Sequence, residues 1–139
     1  MEKLYEASVI VKGGRNGHVK SDDGVIDMPV RMPKGLGGEG GEFTNPEQLF
    51  AAAYSACFDG ALNLVARQNR IKLKETTVTA HVSINKTAEG ALKLGAKLDI
   101  NIPGIDKDQA EELAAMAHKV CPYSVAVQGN IDVELNVTQ

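Results

Sequence analysis

The longest apolar segment of the chain, residues 44–70, constrains the fold more than any other feature. It predicts a helix, because Asn45 suits the N-cap, Pro46 suits the first helical position and Gln48 follows the cap by three residues. The residues that follow are apolar on nearly every side of that helix, which is typical of a helix buried in a core or an interface. Cys57 lies near its middle. This thiol is either inert core filling or the reactive group that the helix is built to hold.

Length and composition indicate a globular protein. A chain of 139 residues has the size of one ordinary domain, so we predict a single domain over residues 1–139. The net charge of −3 and the absence of a Lys/Arg cluster argue against nucleic acid or an anionic membrane as a partner. The first residues lack an apolar signal segment, and polar residues such as Glu47, Asp59 and Asn63 interrupt the long apolar helix. The sequence therefore predicts a cytoplasmic protein without a membrane span.

The first quarter of the chain has the pattern of a small sheet. Apolar residues alternate over 4–12, a turn rich in glycine follows at 13–17, and two further strands are predicted over 18–21 and 25–31. Short turns between them predict a three-stranded antiparallel meander. Residues 32–44 contain five glycines and a proline, so no regular structure is expected there.

The second half of the chain alternates between strands and one more helix. Strands are predicted over 76–86, 92–102 and 130–137, and a second helix runs from an N-cap at Asp106 to Cys121. The order is βββ-α-ββ-α-β. Because the strands come as hairpins, we predict an α+β fold with antiparallel sheets around a long central helix.

The two cysteines, Cys57 and Cys121, are 64 residues apart, and each falls on the apolar face of a predicted helix. A permanent disulfide is disfavoured in a reducing compartment, so they are either two unconnected thiols or a catalytic pair that cycles. Two helices packed on the same sheet could bring them within bridging distance, which would permit a disulfide that forms and breaks.

A reactive buried thiol needs a nearby cation, because burial alone favours the neutral form. Arg67 and Arg70 lie about 15 to 20 Å along the same helix from Cys57, which is too far. Arg15, in the turn at 13–17, could be directed inward, although a solvated arginine is the ordinary explanation for this position. Glu47 in the first helical turn is likewise explained by the helix dipole alone.

A metal site is a weaker alternative. His118 and Cys121 have the spacing of half a ligand set, but no second spaced pair exists, and a closed zinc site needs four ligands. We therefore predict no metal.

Five blocks of sequence, spread along the whole chain, carry a more specific pattern. They are Gly13-Gly14-Arg15-Asn16-Gly17-His18, Ser21-Asp22-Asp23-Gly24, Thr44-Asn45-Pro46-Glu47-Gln48-Leu49-Phe50, Cys57-Phe58, and Val120-Cys121-Pro122-Tyr123-Ser124 with Gly129-Asn130. Together they closely resemble the organic hydroperoxide resistance proteins (Ohr), a branch of the Ohr/OsmC superfamily. The position of Arg15 in the N-terminal turn favours the Ohr branch over the OsmC branch.

The resemblance implies a thiol-dependent peroxidase that reduces organic hydroperoxides to alcohols. Residue by residue, Cys57 matches the peroxidatic cysteine, Cys121 the resolving cysteine, Arg15 the activating arginine and Glu47 the carboxylate that orients it. Cys57 would become a sulfenic acid, and Cys121 would trap it as a disulfide.

The resemblance also implies an intertwined homodimer without a bound cofactor, recycled by dihydrolipoamide or lipoylated proteins. Glu47 and Cys57 are ten residues apart, or about 15 Å along a straight helix, so they cannot meet in one subunit. We therefore predict composite sites, in which Arg15 and Glu47 of one chain serve Cys57 and Cys121 of the other.

Four apolar residues are candidates for the substrate pocket and would favour alkyl or fatty-acid hydroperoxides: Phe50, Tyr54, Phe58 and Met116. One departure from the family pattern is the apolar stretch at 125–128, where a more polar sequence is expected. The alternatives are an OsmC-like peroxidase of broader specificity, a non-catalytic redox sensor or binder of small hydrophobic molecules, and a scaffold with two inert thiols.

Overall fold

The computed structural model describes all 139 residues, and the chain divides into two compact units, residues 1–49 and 50–139. The single domain stays a prediction. The helices and strands, in chain order, are β1 (Val9–Lys12), β2 (His18–Ser21), β3 (Asp27–Pro29), α1 (Pro46–Gln68), β4 (Thr77–Lys86), β5 (Leu92–Asn101), α2 (Lys107–Val120), α3 (Pro122–Val127) and β6 (Val133–Thr138).

The first unit contains the predicted antiparallel meander, in the order β1-β2-β3. Val9 pairs with Ser21, and His18 pairs with both Lys12 and Pro29. The strands are shorter than predicted, because residues 4–8 alternate as a strand would but pair with no strand of the same chain. Alternation shows which face a residue takes and cannot show whether a partner strand exists.

The glycine-rich segment at 32–44 is largely irregular, as predicted. It contains one 3₁₀ turn, Lys34–Leu36, and its last residue, Thr44, forms an isolated β-bridge with Val30. Gly38 is required by close packing, because a Cβ there would lie 2.0 Å from the carbonyl oxygen of Met32.

The helix α1 begins where its sequence predicts. The backbone N–H of Gln48 donates to Oδ1 of Asn45 at 2.9 Å, which is the expected N-cap bond. The helix ends at Gln68, and Arg70 beyond it has a φ of 58°, in the left-handed region.

The length and composition of α1 also suit a membrane span, since it has 23 residues and a mean hydropathy of 1.4 over its most apolar window. The prediction that its polar residues exclude such a span on composition alone was therefore wrong. Core helices meet the same criterion, and the side chains of Tyr54, Phe58 and Leu62 on α1 are fully buried within the chain.

The sheet of the second unit has the order β4-β5-β6. The strands β4 and β5 form an antiparallel hairpin, with Thr77 opposite Asn101. The strand β6 runs parallel to β5, with Ala96 opposite Val133, so the prediction of antiparallel pairing throughout was wrong. The two helices between β5 and β6 provide the long crossover that a parallel pair requires.

The chain bends sharply between α2 and α3. Asp106 caps α2 as predicted, by accepting from the backbone N–H of Gln109. The sequence predicted only two helices, whereas Pro122–Val127 forms a third. Pro122 cannot continue α2 but suits the first position of a new helix, and six residues are too few to show a helical period.

A single apolar core in the second unit joins α1, β5 and α2. Its fully buried members include Tyr54, Phe58, Leu62, Leu98, Ile100, Ile102, Leu113, Ala117 and Cys121.

Candidate active site

The two cysteines lie together in the second unit. Cys57 is half-buried in the middle of α1, and Cys121 is fully buried at the junction of α2 and α3. Their sulfur atoms are 3.6 Å apart, and the Cys121 thiol donates to the sulfur of Cys57. Both are therefore free thiols. The sulfur atoms would need to move only about 1.5 Å closer to reach the disulfide bond length of about 2.05 Å.

The bend between α2 and α3 directs Cys121 towards Cys57. The backbone N–H of Cys121 still donates to the carbonyl oxygen of Ala117 at 2.8 Å, so Cys121 closes the last turn of α2. Pro122 then starts α3 in a new direction. The resolving candidate therefore sits at a fixed helix junction.

Burial is the largest influence on Cys57, and it raises the pKa of the thiol. The backbone N–H of Tyr123 donates towards the sulfur and lowers the pKa, whereas the Cys121 thiol raises it further. None of the groups that shift this pKa is a cation. Within the second unit, therefore, no cation compensates for the burial that disfavours the Cys57 thiolate.

Arg15 and Glu47 form a bidentate ion pair in the first unit. Nη2 of Arg15 donates to Oε1 of Glu47 at 2.7 Å, and Nη1 donates to Oε2 at 3.0 Å. The Glu47 side chain is 13% exposed and that of Arg15 is 36% exposed, so the carboxylate is mostly covered while the guanidinium keeps an open side. Such a fork fixes the plane of the guanidinium.

The ion pair changes the acid–base properties of both partners. The hydrogen bonds from Arg15 lower the pKa of Glu47, and the bonds to Glu47 raise the pKa of Arg15. A carboxylate with a depressed pKa keeps its charge through neutral pH and loses the pairing only as the pH falls through that lowered pKa. At neutral pH, both groups are charged.

The turn that carries Arg15 depends on its glycines. Residues Gly14–Asn16 form a 3₁₀ turn, and Gly13 before it has a φ of 80°. A Cβ on Gly17 would lie 1.7 Å from the carbonyl oxygen of Lys12. No side chain fits at Gly17 unless the backbone moves.

We expect Gly17→Ala to displace the Arg15 turn and Gly14→Ala to leave it in place. Gly14 has a φ of 57°, but a Cβ on this residue would meet no atom within 4 Å, so its substitution costs only about 1 to 2 kcal/mol of backbone strain. Thermal unfolding and a crystal structure of each variant would measure the difference. Equal melting temperatures and an intact Arg15–Glu47 pair in Gly17→Ala would contradict this account of the turn.

The four residues predicted for the substrate pocket all belong to the core around the cysteines. Tyr54 and Phe58 are fully buried, and Phe50 and Met116 are half-buried against the same cluster. Their role in substrate binding stays a prediction. Phe50 and Met116 are the two that keep some exposed surface within the chain.

The sequence did not reveal the contribution of Tyr123 and Ser124, which follow Cys121 and Pro122. The ring of Tyr123 stacks on Tyr54 at 6.1 Å between centroids and meets the edge of Phe50 at 6.4 Å. The hydroxyl of Ser124 bonds both Tyr54 and His118. The signal was available, because both residues belong to the recognised block that contains Cys121.

Two other sequence observations can be placed. The sequence considered His118 only as half of a metal site, and no three His, Cys, Asp or Glu side chains lie together in a group that could hold a metal ion. In the atypical stretch at 125–128, Val127 packs against the core while Val125 is 52% exposed.

Comparison with known proteins places this geometry in a family. The OsmC-like protein family matches residues 38–136, a range that includes both cysteines and Glu47. The chain belongs to this family. Within the family, it is similar to the organic hydroperoxide resistance protein OhrA of Bacillus subtilis, with 49% identity over 99% of each chain.

Solved structures of organic hydroperoxide resistance proteins have the same fold. One from Elizabethkingia anophelis, with thiocyanate bound, is 53% identical, with a TM-score of 0.94 over 100% of this chain and 99% of that one. OhrB of Bacillus subtilis is 44% identical, with a TM-score of 0.88 over 98% of this chain and 100% of that one. These comparisons confirm the α+β fold and the Ohr branch of the OsmC-like family.

Proposed function

We propose that this protein is a cysteine-based peroxidase that reduces organic hydroperoxides to alcohols. Relatives that match nearly the whole chain are named for resistance to organic hydroperoxides, which supports the substrate class. The observation that carries the proposal is the 3.6 Å separation of two free thiols, Cys57 and Cys121, on different helices. A pair at this distance can form a disulfide with little movement and can be reduced again.

The reaction begins at Cys57. Its thiolate attacks the terminal oxygen of the hydroperoxide, so that a sulfur–oxygen bond forms, the oxygen–oxygen bond breaks and the alkoxide leaves as an alcohol after taking a proton. Cys57 is then a sulfenic acid. The sulfur of Cys121 attacks the sulfur of Cys57, a disulfide forms, and the hydroxide leaves as water with the proton of the Cys121 thiol.

An external dithiol completes the cycle. Dihydrolipoamide or a lipoylated protein reduces the Cys57–Cys121 disulfide by two thiol–disulfide exchange steps and is itself oxidised to the cyclic disulfide. The protein needs no bound cofactor for this chemistry, and we place the cycle in the cytoplasm.

The activating cation comes from a partner chain. Burial raises the pKa of Cys57, and no cation in the second unit offsets that effect. Arg15 is oriented by Glu47, but Glu47 precedes Cys57 by ten residues on the continuous helix α1, which is about 15 Å. We propose a homodimer with two composite sites, in which the Arg15–Glu47 pair of one protomer faces Cys57 and Cys121 of its partner.

Exposed apolar residues near the N-terminus support a partner chain. Leu4, Tyr5, Val9, Ile10 and Val11 are each more than half exposed within a single chain. A run of this kind is typical of a surface that another chain covers. It agrees with an intertwined dimer.

The apolar surroundings of Cys57 favour alkyl or fatty-acid hydroperoxides over hydrogen peroxide. Phe50 and Met116 at the rim and Tyr54 and Phe58 beneath them provide aromatic and thioether surface for an alkyl group. Hydrogen peroxide has no apolar group to bury there. A ratio of turnover for cumene hydroperoxide over hydrogen peroxide close to one would instead favour the broader OsmC-like specificity.

An anaerobic titration with dihydrolipoamide and an organic hydroperoxide tests the proposal. We expect stoichiometric alcohol formation by the wild type, and in Arg15→Ala a fall in kcat/KM by about 100-fold or more, because a charged donor to the reacting atoms is removed. Arg67→Ala is the matched control, since Arg67 is an exposed arginine near the end of α1. Equal rates for Arg15→Ala and the control would overturn the role of Arg15, and absence of alcohol from the wild type would overturn the peroxidase.

A further inference from the structure

Three polar side chains form a hydrogen-bonded chain beside the two cysteines. The hydroxyl of Tyr54 is 2.8 Å from Oγ of Ser124, and Oγ of Ser124 is 2.9 Å from Nδ1 of His118. Tyr54 is fully buried and Ser124 is 2% exposed. Every buried polar side-chain atom in the structure has a partner, and these two hydroxyls satisfy each other. We call Tyr54, Ser124 and His118 the hydroxyl–imidazole chain.

Each residue of the hydroxyl–imidazole chain lies one helical turn from a cysteine. Tyr54 precedes Cys57 by three residues on α1, His118 precedes Cys121 by three on α2, and Ser124 follows Cys121 by three on α3. The two hydrogen bonds therefore connect all three helices that position the thiols. Negative charge on either sulfur also raises the pKa of Tyr54, although burial is the larger cause, so the Tyr54 hydroxyl lies within electrostatic reach of both.

Only one direction of the hydrogen bonds satisfies every proton. Ser124 has a single proton to donate and Tyr54 must donate its own, since Ser124 is the only hydrogen-bond partner of its hydroxyl. Tyr54 therefore donates to Ser124, and Ser124 donates to Nδ1 of His118. This direction requires a neutral imidazole, and burial lowers the pKa of His118, which favours the neutral ring.

We propose that the hydroxyl–imidazole chain positions Cys121 against Cys57 for disulfide formation, and that Tyr54, Ser124 and His118 are positioning residues for that step. The inference rests on the proposed function. In this step the Cys121 sulfur forms the sulfur–sulfur bond, the sulfur–oxygen bond of the Cys57 sulfenic acid breaks, and hydroxide leaves as water with the Cys121 proton. The three residues do not exchange atoms with the reactants.

The geometry of disulfide formation explains why Cys121 must be held in a fixed position for this step. Disulfide bonds tolerate little deviation in length and dihedral angle, and the sulfurs must approach from 3.6 Å to about 2.05 Å. The helix α3 has only six residues, so its own hydrogen bonds hold it weakly. The bonds from Ser124 to α1 and α2 fix α3 and hence the bend at Cys121. A slower closure would leave the sulfenic acid of Cys57 exposed to a second peroxide.

The test separates peroxide attack from disulfide closure in Ser124→Ala and Tyr54→Phe, each of which removes one hydroxyl. The wild type and both variants receive one equivalent of cumene hydroperoxide by stopped flow, or an excess where sulfinic acid is measured. Mass spectrometry follows Cys57 sulfenic acid trapped by dimedone, disulfide, and sulfinic acid. We expect about tenfold slower closure in both variants, with more trapped sulfenic acid and more sulfinic acid, as for the loss of one hydrogen bond. Peroxide consumption should be unchanged in Ser124→Ala, whose residue lies outside the proposed substrate pocket.

Conservative variants distinguish positioning from a general loss of stability. Ser124→Thr keeps the hydroxyl, and His118→Asn keeps an acceptor near the position of Nδ1, so both should close at rates near that of the wild type. Thr76→Val is the matched control: it removes a hydroxyl that bonds Asp59 and Asn63 in the same unit and is not part of the hydroxyl–imidazole chain. We expect normal closure in this control.

The outcomes separate this inference from the proposed function. Absence of both sulfenic acid and disulfide in the wild type would overturn the peroxidase and the inference together. A cycling wild type with normal closure in Ser124→Ala and Tyr54→Phe would overturn the inference alone. Slow closure in Thr76→Val, or no recovery in Ser124→Thr, would also overturn it, because the effect would then follow stability.

Discussion

Replacement of Cys57 by serine is expected to abolish the reduction of organic hydroperoxides. A serine hydroxyl is not ionised near neutral pH, and its oxygen cannot be oxidised to the equivalent of a sulfenic acid. Loss of the nucleophile removes the chemical step, so we expect kcat/KM to fall by a factor on the order of 10³ or more. The measurement is alcohol formation from cumene hydroperoxide under the anaerobic conditions used for the wild type.

Cys121→Ser is the matched control, because it changes the other member of the same 3.6 Å pair. This variant keeps the nucleophile, so it should still release alcohol with the first equivalent of peroxide. Without a resolving thiol, its sulfenic acid persists and excess peroxide carries it to the irreversible sulfinic acid. The wild type should lose both thiols reversibly.

The same pair of variants tests the non-catalytic alternatives. A binder of small hydrophobic molecules would bind the hydroperoxide equally in the wild type and in Cys57→Ser and would release alcohol in neither. Inert thiols would show no loss of free thiol when peroxide is added. Turnover by Cys57→Ser at the wild-type rate would show that the chemistry lies elsewhere in the molecule.

Local sequence signals predicted the elements that depend on neighbouring residues. The cap at Asn45 and the cap at Asp106 are both observed as side-chain bonds to the third residue beyond. The strict alternation over 92–102 predicted β5, whose Leu98 and Ile100 are fully buried. Capping and alternation depend only on residues within one helical turn or one strand, so both can be read directly from the sequence.

The parts that failed depend on long-range pairing. The direction of β6 follows from the path of α2 and α3 and leaves no trace in its own alternation, so the parallel pairing was not predicted. The helix α3 is shorter than two turns and has no readable period. Residues 4–8 have a strand pattern but are assigned to no strand.

The sequence predicted some residues of the candidate site better than others. Arg15 and Glu47 are 32 residues apart, and each has an ordinary local explanation, so only the family resemblance singled them out before the bidentate pair was seen. The cysteines could be paired in principle from the apolar faces of their helices. Ser124 belongs to the recognised block around Cys121, but that block does not indicate its role, which depends on two partners, Tyr54 and His118, on other helices.

Mixed dimers of two inactive variants are expected to recover activity. In a composite site, a protomer with Arg15→Ala still provides Cys57, and a protomer with Cys57→Ser still provides Arg15. A dimer that contains one of each therefore has one site with both residues intact and one site with neither. Random mixing makes about half of the dimers mixed, so we expect about a quarter of the wild-type activity from two chains that are each inactive in their own homodimers.

Co-expression with two different affinity tags, followed by purification on both, isolates the mixed dimers, whose expected activity is about half that of the wild type because one of two symmetric sites is intact. The control is a mixed dimer of wild type with a chain that carries both Arg15→Ala and Cys57→Ser. This control dimer contains the same two substitutions, but one site lacks Arg15 and the other lacks Cys57. Both of its sites should therefore be inactive. If Arg15 instead served the cysteine of its own chain, the two mixed dimers would exchange their activities. Which of the two mixed dimers is active therefore shows whether Arg15 comes from the same chain as Cys57 or from the partner. This result does not depend on the absolute turnover rate of either site.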